Sequence, residues 1–276
     1  KNNGVGSGPV YVSVNASLYF QNAGIYPSEL YLSPGYGSPT AAAVPNGGAL
    51  IYAGGTVTNS GTLHLLGAPV ATGPGDRITG NYSSGNATIT FAGRITGPGT
   101  LDLYAVHNTY YLLKNTTGPA NDWQGGLIVE PSSGVSAYVR MGADDQLPHG
   151  ANAGDVTLTA PGSTVARLDV NGRTATINGL NAPNANVAYQ QVGNYQGSTA
   201  GTLTLGDGDA NATFYGVMED QGGAKTFSLV KIGAGTQSLG GANTYSSSTT
   251  VSAGTLALIG SGSLANSPAI NVAAGA

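Results

Sequence analysis

The chain has 276 residues, a net charge of −4 and only 8% charged residues, against roughly a quarter in an ordinary globular domain. It contains no cysteine, which excludes disulfides, thiolate metal sites and cysteine nucleophiles. Its nine basic residues are scattered and its apolar runs are all short, so there is no nucleic-acid footprint and no membrane-spanning helix.

With 45 glycines and 14 prolines, the chain stays below the roughly 25–30% Gly plus Pro of low-complexity sequences. Low net charge argues against disorder. The opening Lys1-Asn2-Asn3-Gly4 is not a signal peptide. The first strand signal is Val10-Tyr11-Val12-Ser13-Val14, alternating apolar and polar. Residues 26–48 carry Tyr26, Tyr31 and Tyr36 among Pro27, Pro34, Pro39 and Pro45. Prolines cannot donate to a sheet ladder, so this stretch is predicted to protrude as a loop. Its three tyrosines are candidate partner-binding residues for proteins or glycans, because each offers apolar area with a polar tip.

Further along, residues 100–117 lack Gly and Pro. Leu101, Leu103 and Ala105 alternate and Asn108 favours a turn, which predicts two strands and no helix. Asp144 and Asp145, near His149, resemble the carboxylate pairs of β-helical polysaccharide enzymes. Adjacent residues on a strand face opposite ways, so the pair reads better as an inter-strand loop. Strand signals return at 155–159 and 167–170. Asp207-Gly208-Asp209-Ala210-Asn211 spaces oxygens as calcium loops do, but Ala212 and Met218 occupy the positions that need Gly and Glu. A polar turn is expected there. His64, His107 and His149 are too dispersed for a metal site, and no metal or cofactor is predicted. Five Asn-x-Ser/Thr sequons begin at Asn15, Asn81, Asn86, Asn115 and Asn211; in a chain this rich in Asn, Ser and Thr they are expected by chance.

Internal repetition organises these signals. Gly-Thr-Leu-x-Leu occurs at 61–65, 99–103, 201–205 and 254–258. Its alternation puts both leucines on one face and His64, Asp102, Thr204 or Ala257 on the other. Residues 86–93 parallel 211–216, residues 121–129 parallel 243–251, and residues 8–12 parallel 154–158 and 267–271. The expected organisation is one continuous segment of a longer protein, with modules at 1–85, 86–210 and 211–276. Strands this short bury their apolar faces by stacking coil on coil. The predicted fold is therefore an all-β solenoid, with an antiparallel sandwich or barrel as the alternative. At roughly 22 residues per coil it would have about a dozen coils and a length of about 55–60 Å.

The segment 227–256 begins Phe-Ser-Leu-Val-Lys-Ile-Gly-Ala-Gly-Thr and continues through Gly241-Ala242-Asn243-Thr244-Tyr245 to Thr249-Thr250-Val251 and Gly254-Thr255-Leu256. It resembles the autotransporter-associated β-strand repeat, also called the passenger-associated transport repeat. Residues 213–220 resemble the lead-in to that repeat, and residues 86–129 are a degenerate echo. Gln237 and Ser238 replace the usual apolar pair and are expected to weaken the packing of one coil. The resemblance implies a right-handed parallel β-helix, single-stranded, in a secreted or surface-displayed bacterial protein anchored in the outer membrane through other regions. It brings no catalytic residues.

The expected function is non-enzymatic, that of a rigid stalk or adhesin scaffold. Two alternatives are a self-assembling extracellular filament and a β-helical polysaccharide-cleaving enzyme. Expected partners are neighbouring repeats of the same chain, a second copy end to end, and surface glycans or proteins.

Overall fold

The computed structural model describes residues 8–13, 16, 18–20, 23–33, 50–52, 55–69, 75–80 and 86–276. The described residues are all-β, with one short 3-10 turn at Val187–Tyr189. No helix among the described residues is long and apolar enough to cross a membrane.

Successive strands enter three ladders in rotation. The first ladder takes Val10–Val12, Leu30–Leu32, Leu63–Leu65 and Ile95–Thr96. It resumes with Thr174–Ile177, Gly201–Leu205, Phe227–Lys231, Thr249–Val251 and Ile270–Val272. The second ladder starts with Leu18–Phe20, Leu50–Tyr52, Asp76–Gly80 and Leu101–Ala105. Leu127–Pro131, Val156–Leu158 and Leu180–Asn181 follow. The parallel bridge from Ala182 to Phe214 carries it on to Ala212–Phe214, Thr236–Leu239 and Thr255–Leu258. The third ladder runs from Gly24–Tyr26 and Thr56–Asn59 through Ala87–Phe91, Thr109–Leu113, Ala137–Met141, Ala166–Asp169 and Gln190–Asn194 to Val217–Asp220. Ala242–Asn243 and Ser263–Leu264 extend it.

All strand pairings among the described residues are parallel; the one antiparallel contact is an isolated bridge between Gly222 and Lys225. This overturns the antiparallel alternative, which needs neighbouring strands joined as hairpins. One circuit of chain separates register partners, and circuits differ in length: the one from Thr236 to Thr255 is short and the one from Leu30 to Leu63 is long. Most are longer than the sequence pattern suggests, and among the described residues the second ladder accordingly has ten rungs, not a dozen.

Alternation explains the core. Leu63 and Leu65, Leu101 and Leu103, and Leu203 and Leu205 are all buried, as the repeated pentapeptide predicts. They join Ile89, Phe91, Val139, Met141, Leu168 and Leu229 in one continuous apolar interior. Leu258 belongs to the same motif but is exposed, because Thr255–Leu258 is the last rung of its ladder. Residues 100–117 form two strands and no helix.

The expected loop at 26–48 is corrected where it can be seen. Gly24–Tyr26 and Leu30–Leu32 are paired strands, with Pro27 in the turn between them. A proline at a corner costs no ladder bond, so it marks a turn here and not a protrusion. Residues 34–49 lie outside the described residues.

Candidate functional site

Of the expected binding tyrosines, Tyr26 and Tyr31 do not share a surface. Tyr26 is buried and packs its ring edge against Phe20 at 4.3 Å between centroids. Tyr31 faces outward from the first ladder, stacked between Tyr11 (4.5 Å) and His64 (4.0 Å), and its hydroxyl donates to Glu29 at 3.0 Å. Tyr36 lies outside the described residues. In a parallel register, identical outward positions sit directly above one another, so aromatic residues there stack along the ladder.

The acidic candidates hold neighbouring turns and rungs. Asp144 and Asp145 lie in a turn, with Asp145 at a left-handed φ of 46°. Asp144 Oδ1 accepts the Thr174 amide at 2.9 Å, and Asp145 Oδ1 accepts the Thr176 hydroxyl at 3.2 Å. Both carboxylates hold the next rung and neither faces the other across a cleft. His149 Nδ1 meets Asp207 Oδ2 at 2.6 Å. Asp209 Oδ1 takes the Ala234 amide and Asn211 Oδ1 the Thr236 amide. A groove of about 390 Å³ beside His149 is lined by Asp122, Gln124, Trp123 and Pro148 among others. Trp123 is fully buried with its N–H bound to the Gly126 carbonyl, and Asp122 pairs with Arg94, so the groove holds no stacking face and no free carboxylate pair.

The densest built chemistry lies in residues 213–263, where buried polar side chains replace backbone groups at the corners. Asn243 Oδ1 accepts the Met218 N–H at 2.9 Å, and its Nδ2 donates to the Gly241 and Ser263 carbonyls, each at 2.9 Å. One amide thus ties three successive rungs. Asp220 accepts the amides of Gly222, Phe227 and Ser246. Lys231 is fully buried, and its ammonium donates to the Ile232, Gly233 and Ala253 carbonyls. Burial lowers its pKa, against a smaller opposing pull from Asp209. Tyr245 buries its ring edge-on to Phe227 and shares a hydrogen bond with Thr249.

Gln237 corrects an expectation. Its buried side-chain amide accepts from the Leu180 N–H at 3.0 Å and donates to the Leu180 carbonyl at 2.9 Å. Its register partner Ala212 is small, so the amide reaches past that rung to the one beyond. An apolar residue would leave both Leu180 groups without this partner. Gln237 therefore links coils where loss of packing was expected.

The degenerate echo shares this bonding. Asn121 Oδ1 accepts the Ile95 N–H at 2.9 Å, and its Nδ2 donates to the Gln146 carbonyl. These bonds, with the Asp145 amide bound to the Thr174 carbonyl, bridge the interval in the first ladder. Asn121 sits above the first ladder and Asn243 in the third, so the corner device transfers between sides.

Sequence reasoning missed two clusters. Arg77 Nε donates to Asp102 at 2.7 Å and Nη2 to Glu130 at 2.7 Å, with Arg77 and Asp102 both buried. Burial raises the Asp102 pKa and Arg77 resists that shift. The second cluster is on the outer face of the third ladder, where Tyr110 and Tyr138 stack at 4.8 Å and Arg167 lies over Tyr138 at 5.1 Å. Alternation marked these residues as outward, but their stacking depends on partners that each lie a full circuit away along the chain.

The sequence pattern described as Passenger-associated-transport-repeat matches residues 229–258. Over 207 residues, 72% of this chain, the sequence is 30% identical to the protein named Adhesin BmaC autotransporter from Brucella suis biovar 1 (strain 1330). The chain spans 5% of that relative's length. No solved structure matches. The buried Lys231 and Asn243 both fall inside the matched segment, Asn243 tying it to the rungs on either side, and the chain therefore carries a passenger-associated transport repeat.

Proposed function

We propose that the chain is a right-handed parallel β-solenoid segment of a longer secreted or surface-displayed bacterial protein, acting as a rigid, non-enzymatic adhesin scaffold. The observation that carries this reading is the rotation of strands through three parallel ladders, with the transport repeat built into the same rungs. Among the described residues, ten rungs at 4.7–4.9 Å give a stack about 43 Å long. Side-chain amides such as those of Asn243 and Gln237 fix coils to their neighbours, which suits a spacer that has to hold its shape outside the cell. Similarity to an autotransporter adhesin supports surface display.

The test is display. The chain, fused between a secretion signal and an outer-membrane β-barrel anchor, is expected on the surface of intact cells, where added protease removes it. Retention inside the cell would refute the reading. Release of reducing ends from pectin-type or mucin-type glycans, abolished in Asp145→Asn, would favour the enzyme alternative instead.

A further inference from the structure

The outer face of the third ladder concentrates cations on an acidic protein. Lys114, Arg140 and Arg167 fall on neighbouring rungs, joined by the pairings of Thr109–Leu113 with Ala137–Met141 and of the latter with Ala166–Asp169. Arg77, Arg94 and Arg140 each meet a carboxylate. Arg167 does not. Its Nε and Nη2 both donate to the side-chain oxygen of Gln191, a neutral partner. The guanidinium lies between Tyr195 at 3.8 Å and Tyr138 at 5.1 Å, which fixes its plane. Its Nη1 has no partner among the described residues, and the Tyr110 and Tyr138 hydroxyls make no hydrogen bond there either.

The carboxylates on this face are already engaged. Asp169 is buried and bound by Arg140 and by the Asn171 and Tyr195 amides. Glu219, at the far end, accepts the Tyr195 hydroxyl at 2.8 Å. The half-buried strip therefore offers a fixed planar cation and two free hydroxyls one rung apart. A guanidinium fork matches a carboxylate. The rung spacing of about 4.8 Å is close to the length of one sugar in an extended glycan.

We infer that this strip binds a carboxylate-bearing polysaccharide, with a uronate on Arg167 and sugar hydroxyls on Tyr110 and Tyr138. The inference adds a ligand to the surface-display reading without depending on it, since binding is measured on the purified chain and display on cells. The probes are a hyaluronan octasaccharide (uronate, unsulfated), a heparin octasaccharide (sulfated) and a neutral chitooligosaccharide, each titrated calorimetrically. Hyaluronan is expected to bind and the neutral oligosaccharide not to bind. Arg167→Ala should weaken hyaluronan binding about tenfold or more, and Arg167→Lys should restore little, because the fork is lost. If Arg167→Ala fails to fold, Gln191→Glu neutralises the guanidinium in place and should abolish binding. No hyaluronan binding in the millimolar range, equal binding of the neutral glycan, binding of heparin alone, or unchanged affinity in a folded Arg167 variant or in Gln191→Glu would each overturn the inference.

Discussion

Replacing Asn243 by alanine tests whether corner amides hold the rungs together. In the native chain its Oδ1 stands where a strand carbonyl would stand for Met218, and its Nδ2 fills the donor position for Ser263. The Gly241 carbonyl keeps a second donor, the Ser263 amide, so truncation leaves chiefly the Met218 N–H and the Ser263 C=O without the partner they had. Each such buried group costs about 1–3 kcal/mol, and the expected loss is about 3 kcal/mol. Long repeat arrays can unfold in parts, so the proper readout is local. Native-state hydrogen exchange at Met218 and Thr244 should accelerate about a hundredfold. Amides on distant rungs, such as those of Tyr111 and Val139, should hardly change. Asn243→Asp keeps the acceptor, loses the donors and buries a charge; it should be at least as damaging at neutral pH and partly recover in acid. Exchange within threefold of wild type at Met218 in Asn243→Ala would show that the rungs are held by packing alone.

Other outcomes follow from the same geometry. Lys231→Met should cost about 2 kcal/mol, because three half-buried carbonyls lose their shared donor; an unchanged urea midpoint would contradict this. Gly241→Ala should cost about 3 kcal/mol, since a Cβ there would sit 1.9 Å from the Gly216 carbonyl oxygen. Gly260→Ala, with φ +58° and open space around it, should cost only about 1 kcal/mol; equal losses in thermal scans would refute the steric account. Asp76 is fully buried, and desolvation pushes its carboxyl up to about 7 from 3.8, against a smaller opposing effect from the Gly67 N–H. The folded chain therefore holds this proton more tightly than the unfolded chain, and stability falls as pH rises between those values. The full effect is about 4 kcal/mol. Asp76→Asn should remove that fall, and parallel wild-type and variant pH profiles in urea unfolding would show that the burial penalty is absent.

Local alternation is legible because it needs only near neighbours. Leu101, Leu103 and Tyr111 can be assigned to a core face from two-residue periodicity. The repeated pentapeptide identifies strands but not ladders: 61–65 lies in the first, 99–103 in the second, 201–205 in the first again and 254–258 in the second. Ladder assignment depends on loop lengths, and circuits as unequal as Thr236 to Thr255 and Leu30 to Leu63 erase any fixed period. Tyr26 escapes a local reading because Pro27 signals a break without saying whether the chain leaves the fold or merely turns a corner. Gln237 escapes it because its partner, Leu180, is distant in sequence and becomes reachable only across the small Ala212. Arg167 is hidden for the same reason. Its environment is made by Tyr138 on the preceding circuit and Gln191 on the following one, which meet it only once the register is set.

The parallel ladders also decide how the chain answers a mechanical load. Tension along the stacking direction pulls on the bonds between rungs one layer at a time, so the end rung peels while those beneath stay closed. Each rupture releases one circuit, or roughly 6–12 nm of extended chain. A tether built this way would lengthen in unequal steps under shear and would close again from whatever stack survived.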